Sequence, residues 1–206
     1  MCGQKGDFLS KEFGKYVRGG APATEKFDMN REPIKQKRYM QPFYWGFSFF
    51  RRAIHLGKVN KIRMEGVKPP YILLCNHNAF FDFYVLGTAI APYRGIFPAA
   101  VDDYIGRERI LRKLGTVPKR KYTADIGLLR QCRKALKDGQ IFGIYAEARY
   151  SLCGVTEVIP EAVGQLLKHQ KVPVVTLTCR GNHIYDPFWG NHRKRMIMHM
   201  SADMTL

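Results

Sequence analysis

Residues 71–86 of the chain read YILLCNHNAFFDFYVL. A short apolar run ends abruptly at Asn76, and a second apolar segment begins near Asp82. This pattern predicts a buried strand, a tight turn and the first turn of a helix. In an open α/β sheet, ligands and reacting groups collect at the carboxyl ends of the strands. We therefore expect the polar residues of this stretch at such an edge.

His77 and Asp82 are the residues in this turn that are suited to acid–base chemistry. If the turn brings them together, one imidazole nitrogen donates to the carboxylate, which fixes the tautomer and leaves the other nitrogen as a general base. The alternative is a core histidine beside an aspartate that caps a helix. The spacing H-x-x-x-x-D is short enough to arise by chance, so the hypothesis depends on the position of both residues at a strand end.

Composition limits the classes of partner. The chain has 206 residues, enough for one domain with a sizeable core, and carries a net charge of +17. Such a charge indicates an anionic partner, which could be nucleic acid, acidic lipid or a phosphorylated substrate. The five cysteines are scattered without a C-x-x-C pair. They predict reduced thiols in a cytosolic protein, with neither a disulfide framework nor a zinc site.

Two segments precede the predicted folded domain. Residues 1–40 are polar and rich in Lys, Arg and Gly, which predicts a basic arm. Residues 41–58 carry aromatic side chains at helical spacing among basic ones, which is typical of a helix that lies in a membrane headgroup layer, although the same face could pack on the domain's own core.

We find neither a secretory signal nor an apolar run of about 18 residues, so we expect a chain that lies on a membrane rather than spanning it.

Strands and helices alternate along residues 59–206, which is typical of α/β architecture. In the helix predicted at 102–114, Ile105, Ile110 and Leu114 are expected to face the core. In the helix predicted at about 125–138, Ile126 and Cys132 are expected to do the same. A last element is expected to be missing after the final strand. We predict strands at 59–64, 72–75, 96–97, 141–145, 172–178 and 196–200, and helices at 82–90, 102–114, about 125–138 and from 160 onward.

Four segments match, in order, the motifs of one family. Together they resemble the glycerolipid acyltransferases, whose bacterial members acylate 1-acylglycerol 3-phosphate to phosphatidic acid. The segments are Asn76-His77-x-x-x-x-Asp82, Gly115-x-Val117-Pro118-Lys119-Arg120-Lys121, Tyr145-Ala146-Glu147-Ala148-Arg149-Tyr150-Ser151-x-x-Gly154, and Val172-Pro173-Val174-Val175 followed by Gly181. The third departs from the family's F-P-E-G-T-R-S, because Ala146 and Ala148 replace Pro and Gly and Arg149 lies one place early. Lys121 stands where the second motif has Arg, unless the register slips by one so that Arg120 takes that place.

The resemblance covers about residues 59–200 and implies an acyltransferase domain at 59–206. The implied fold is like that of glycerol-3-phosphate acyltransferase, an α/β domain with a mixed, largely parallel sheet flanked by helices and preceded by the amphipathic helix. His77 would be the base and Asp82 the residue that orients it. Substrate binding would fall to Asn76, Lys119, Arg120, Lys121, Glu147, Arg149, Tyr150, Ser151 and Gly154, the cationic residues holding the acceptor phosphate.

The implied reaction requires no metal or cofactor, because an acyl thioester is already activated and acyl-CoA or acyl carrier protein serves as co-substrate. The implied partners are this acyl donor, a lysophospholipid acceptor and an anionic membrane surface. The alternative acceptor to 1-acylglycerol 3-phosphate is another lysolipid or a glycerol phosphate. The resemblance places the protein peripherally on the cytoplasmic face of the membrane, in phospholipid biosynthesis, with no role for nucleic acid.

Three other functions are alternatives to acyl transfer. Cys75 and His77 lie two apart on the predicted strand and, with Asp82, could form the thiol triad of a thioesterase or hydrolase. The apolar neighbours of Cys75 would, however, raise the pKa of its thiol. A nucleic-acid-binding domain is supported by the net charge alone, since no nucleic-acid motif accompanies it. A non-catalytic, membrane-associated relative is disfavoured by the presence of both His77 and Asp82.

Overall fold

A computed structural model describes residues 28–29, 31–46, 49, 58–79, 82–120, 126–147, 151, 155–156, 158–182 and 201–205. Its strands are β1 (Lys58–Ile62), β2 (Ile72–Cys75), β3 (Gly95–Ala100), β4 (Thr116–Lys119), β5 (Ile141–Tyr145), β6 (Val174–Arg180) and β7 (Ser201–Thr205). Its helices are α1 (Asp82–Ala89), α2 (Val101–Tyr104), α3 (Glu108–Lys113), α4 (Ile126–Lys137) and α5 (Glu161–Gln170). Arg38–Met40 form a 3-10 helix, and residues 41–46 are helical.

The strands form one sheet in the order β1-β7-β6-β2-β5-β3-β4. Strand β2 lies in the middle and is parallel to both of its neighbours, β5 and β6. The parallel order continues through β3 to β4, whereas β7 is antiparallel to β6 and parallel to β1. The prediction of a mixed, largely parallel α/β sheet is confirmed, and β2, β5 and the start of α1 fall where the sequence places them.

Apolar residues cover both faces of the central strand. Because successive residues of a strand point to opposite faces, Leu73 packs with Val85 of α1, whereas Ile72 packs with Cys132 and Leu136 of α4. A strand buried on both faces requires a continuous apolar run, which is what residues 72–75 supply. The run ends at the sheet edge, where the polar residues begin.

The single helix predicted at 102–114 is wrong. Helices α2 and α3 occupy this stretch, and Gly106 between them has a φ of 73°, a left-handed conformation that glycine adopts without steric cost. The break changes the direction of the chain, so Ile105 and Ile110 are exposed instead of buried. Leu114 is buried as predicted, together with Arg112, which the sequence pattern assigned to no face.

Strand β3 continues through Pro98, although the sequence predicts its end there. The N–H of Phe97 donates to the carbonyl of Gly115 on the β4 side, at 2.9 Å. The nitrogen of Pro98 therefore faces the β5 side, where pairing has already ended at Ile96. The missing N–H removes no hydrogen bond from the sheet, which is why proline is tolerated here.

Two further expectations are corrected at the ends of elements. Pro118 and Lys119, which lie outside the strands predicted from the sequence, belong to β4, and an edge strand accommodates a proline. Ile126 is the first residue of α4 and is exposed, whereas Cys132 is buried as predicted. The strand predicted at 196–200 lies outside the described residues, and β7 follows directly after that range.

The described part of the predicted basic arm packs on the domain. Gln36 is buried, and its carbonyl accepts a hydrogen bond from Arg94 at 2.8 Å. The carbonyl of Asp28 accepts one from the Arg112 guanidinium at 2.7 Å. The described residues of the arm are therefore attached to the domain at Asp28 and Gln36.

The helical segment at 41–46 divides its aromatic side chains between the domain and solvent. Tyr44 is only 2% exposed, and its hydroxyl donates to the carbonyl of Leu114 at 3.3 Å. A Cβ at Gly87 of α1 would overlap the Tyr44 ring. Core packing therefore holds for Tyr44, while its neighbours present an apolar surface. This aromatic surface consists of Tyr39, Phe43, Trp45 and Phe49, which are 52–76% exposed.

Within the described ranges, no helix combines the length and the apolar character needed to cross a membrane.

Candidate active site

The turn between β2 and α1 brings His77 and Asp82 together. Oδ2 of Asp82 accepts hydrogen bonds from the backbone N–H groups of Asn78, at 2.6 Å, and Ala79, at 2.9 Å. The same oxygen lies 3.1 Å from Nδ1 of His77. One carboxylate thus closes the turn and meets the imidazole, as the spacing of the two residues predicts.

Hydrogen-bond donors surround the buried carboxylate of Asp82. Its side chain is 1% exposed, against 15% for His77, and a buried carboxylate needs donors around it. Besides the donors to Oδ2, the amide of Asn182 donates to Oδ1 at 2.7 Å. When Nδ1 of His77 donates to this anion, the lone pair lies on Nε2, which can then accept a proton.

The contact of Asn182 with Asp82 was not predicted from the sequence. Asn182 follows β6, the strand next to β2, so parallel pairing brings the two strand ends to the same edge. A polar residue shortly after the predicted strand at 172–178 was the available signal, but the order of the strands was needed to see that it faces Asp82.

Two asparagines attach the turn to β6. The side chain of Asn76 donates to the carbonyl of Cys179 and accepts from its N–H, both at 2.8 Å. The side chain of Asn78 donates to the same carbonyl at 2.6 Å. Asn76, predicted to bind substrate, is thus engaged with the backbone, and this anchors the residues on both sides of His77.

Tyr145 stacks on the imidazole of His77, with ring centroids 3.8 Å apart and an angle of 13° between the planes. It is the last residue of β5 and pairs in register with Cys75 at the end of β2. The stacked ring limits rotation of the imidazole out of the plane that Asp82 requires. Tyr145 belongs to the third motif, but its position against His77 was not predicted.

Two buried polar side chains, those of Glu147 and Ser151, follow Tyr145 in the chain. Glu147 is 4% exposed, and neither of its carboxylate oxygens has a hydrogen-bond partner among the described residues. The Oγ of Ser151 is likewise buried without such a partner, while the Ser151 N–H donates to the carbonyl of His77 at 2.7 Å. Buried polar atoms are rarely left unpaired unless a ligand or water completes them.

The predicted cationic residues are more distant or undescribed. Lys119 ends β4 and Arg120 follows it at the same sheet edge as His77. Since β4 is three strands from β2, at about 4.8 Å per strand the separation is about 14 Å, so the structure does not bring these two residues against His77. Lys121, Arg149, Tyr150 and Gly154 lie outside the described residues.

Cys75 is part of the core beneath the turn. Its side chain is buried, with the thiol 3.8 Å from the carbonyl of Leu73. Burial raises the pKa of the Cys75 thiol well above its usual value, and the nearby Cys179 and Asp82 raise it further. A thiol that stays protonated is a poor nucleophile, which argues against the thiol triad.

Comparisons with known proteins bear on the family and the fold. A family model described as Acyltransferase matches residues 35–180. The structure resembles that of the 1-acyl-sn-glycerophosphate (LPA) acyltransferase PlsC from Thermotoga maritima with a TM-score of 0.58 and 17% sequence identity, over 81% of this chain and 68% of that one. At this identity the likeness establishes the fold. A sequence comparison with curated proteins finds no match.

Proposed function

The chain belongs to the acyltransferase family, and we propose that it transfers a fatty acyl group from an acyl thioester to the free hydroxyl of a lysophospholipid. The proposed acceptor is 1-acylglycerol 3-phosphate and the proposed product is phosphatidic acid. The contact of His77 Nδ1 with buried Asp82 carries this proposal. Acyl transfer to a hydroxyl needs a base of fixed tautomer, and a preformed imidazole–carboxylate pair supplies one.

In the proposed reaction, Nε2 of His77 accepts the proton of the acceptor hydroxyl while the hydroxyl oxygen attacks the thioester carbonyl carbon. The tetrahedral intermediate then collapses, the C–S bond breaks, and the imidazolium gives its proton to the leaving thiolate. Asp82 stays ionised and stabilises the imidazolium between the two proton transfers. Catalysis of this kind typically contributes about 10²–10⁴-fold in rate.

Glu147 and Ser151 are proposed to bind the glycerol part of the acceptor. Their buried, unpaired oxygen atoms support this role, because a ligand hydroxyl would provide the missing partners. The acceptor phosphate would be held by Arg149 with Lys119, Arg120 and Lys121, an assignment that follows the resemblance of the motifs.

The proposed donor is acyl-CoA or acyl carrier protein, either of which presents the same thioester, and no other cofactor is required. We further propose that the protein acts peripherally at the cytoplasmic face of an anionic membrane. The aromatic surface supports this location, because exposed aromatic side chains suit the headgroup layer, and so does the net charge of +17, since basic side chains favour acidic lipid.

The test is an acyl-transfer assay with labelled acyl-CoA and a panel of lysophospholipids, in which the products are separated by headgroup. We expect labelled phosphatidic acid from the wild-type protein and a loss of about 10²–10⁴-fold in turnover for His77→Ala. His169→Ala is the matched control, because His169 is an exposed histidine on α5, and it should keep wild-type turnover.

Undiminished transfer by a folded His77→Ala protein would overturn the assignment of the base. Labelling of a different lysophospholipid, with His77 still required, would keep the reaction and replace the proposed acceptor. Release of free fatty acid without any labelled lipid would replace acyl transfer by thioester hydrolysis.

A further inference from the structure

The amino-terminal edge of the sheet, opposite His77, carries a basic cleft. It encloses about 570 Å³ and is lined by residues that precede three parallel strands: Pro69 before β2, Arg94 before β3 and Gly139 before β5. The 3-10 helix contributes Arg38 to the same wall. The segment that attaches the N-terminal residues to the domain thus completes a depression at this edge.

Among the described residues, cations line the cleft without carboxylates to balance them. Lys35, Arg38, Lys68 and Arg94 contribute to its wall, and no described Asp or Glu does. Among the ion pairs of the described residues, none involves these four side chains. Arg94 is fixed in place by its hydrogen bond to the carbonyl of Gln36. Positive side chains that converge on one concave site favour an anion, and arginine favours phosphate in particular.

An apolar pocket of about 240 Å³ adjoins the basic cleft. The two depressions share Lys68, Pro92 and Tyr93 as a common wall. Most of the remaining lining of the pocket is apolar and includes Met64, Val67, Ile90 and Met204. A cationic depression directly beside an apolar one is suited to a ligand with an anionic head and an apolar chain.

This composite depression is separate from the candidate active site. His77 follows the carboxyl end of β2, whereas the cleft and pocket lie before its amino end. The four residues of β2 span about 13 Å at roughly 3.3 Å each, and Ile72 and Leu73 within it are fully buried. No ligand could reach the imidazole from this edge without unpacking the core.

We propose that the cleft and pocket together form a second ligand site, for a phosphorylated lipid whose headgroup occupies the cleft and whose chain enters the pocket. Arg38 is followed directly by Tyr39 of the aromatic surface, so a lipid held here would lie beside side chains suited to a headgroup layer. Occupancy of this site lets such a lipid contact the enzyme without entering the active site. The inference does not depend on the acyl-transfer reaction.

The experiment is a site-resolved NMR titration of the full ¹⁵N-labelled chain with dihexanoyl phosphatidic acid below its micelle concentration. We expect saturable shifts at the backbone amides of Lys68, Arg94 and Gly139 in the cleft and of Tyr71 and Ile90 in the pocket. Replacing two cations, Arg38→Gln with Lys68→Gln, should weaken binding at least tenfold, because charge-assisted contacts to phosphate are lost. The pair Arg133→Gln with Lys168→Gln, which makes the same change in net charge at exposed positions of α4 and α5, should leave binding within about twofold.

Two further probes separate the sources of the phosphate. Inorganic phosphate should shift only the cleft amides, and more weakly. If it binds as tightly as the lipid while the pocket amides stay silent, the lipid proposal falls and a free-phosphate site replaces it. Equal binding of dihexanoyl phosphatidylcholine would remove the role assigned to the cations, and the absence of any shift at this edge with phosphatidic acid would remove the site altogether.

Discussion

The two edges of the sheet use polar side chains in opposite ways. At the carboxyl edge, Asp82 is buried and its oxygens meet four donor groups, from His77, Asn78, Ala79 and Asn182. At the amino edge, Lys35, Arg38 and Lys68 are exposed and take part in no ion pair of the described residues. The first arrangement fixes one geometry, and the second supplies positive charge that a ligand can order.

This contrast has a physical basis. Buried and hydrogen-bonded charges are shielded little by salt, whereas exposed charges more than about 8 Å apart are largely screened at physiological ionic strength. Binding at the amino edge should therefore weaken with salt, while the geometry of the His77–Asp82 pair should not change. Proton transfer requires the fixed geometry of the carboxyl edge, whereas binding of a phosphate is compatible with the exposed side chains of the amino edge.

The largest expected effect on turnover comes from replacing Asp82 at the carboxyl edge. Asp82→Asn removes the charge that orients and stabilises the imidazole, and turnover in the acyl-transfer assay should fall by about 10²–10⁴-fold. Asp138→Asn is the control, because this carboxylate lies near the surface and, among the described residues, forms its ion pair with Lys134. It should keep full turnover, and an equal loss in both variants would mean that Asp82 has no special role.

A smaller effect is expected at the ring that lies on the base. Tyr145→Leu removes the stack on His77, and since aromatic pairs contribute about 0.5–1.5 kcal/mol, turnover should fall roughly 2- to 12-fold. Tyr145→Phe keeps the ring and should restore most of the rate at an unchanged Michaelis constant. A loss in the Phe variant as large as in the Leu variant would assign the effect to the hydroxyl and not to stacking.

The smallest effect on turnover is expected at Cys75, in the core below the turn between β2 and α1. Cys75→Ala removes a buried thiol that we place in the core, so the protein should keep at least about half of its activity and lose roughly 1 kcal/mol of stability. Cys132→Ala, a matched buried cysteine on the other face of the sheet, should behave alike. Trapping of an acyl group on Cys75 by mass spectrometry would contradict this and revive the thiol triad.

The raised thiol pKa values add a check that is independent of turnover. Burial raises the pKa of Cys75 and brings that of Cys132 to about 12, so both thiols should stay protonated at pH 8. Alkylation by iodoacetamide at that pH should be much slower in the folded protein than in urea, because only the thiolate reacts readily.

The His77–Asp82 contact could be predicted from the sequence because its determinants are local. An apolar run that stops, a polar turn and a second apolar segment specify strand, turn and helix within residues 71–86. Asn182 and the stack of Tyr145 could not be predicted in this way. They depend on β6 and β5 lying on either side of β2, and strand order is a long-range property that no local pattern contains.

The errors have local causes of a different kind. Apolar spacing alone joined α2 and α3 into one helix, because the pattern gave no sign that Gly106 adopts a left-handed conformation. The predicted strand ends at 97 because a proline usually ends a strand, but whether Pro98 does so depends on which neighbouring strand its nitrogen faces. Both errors concern backbone direction, which hydrophobic periodicity does not encode.

The contact between Tyr44 and Gly87 has a consequence for how substrates reach the base. Any side chain at 87 would displace the Tyr44 ring, so glycine there allows the N-terminal helical segment to lie directly on α1. Helix α1 begins with Asp82. The exposed rings next to Tyr44 and the proposed base, His77, therefore belong to one packed unit, so the fold sets the distance between Trp45 and the imidazole.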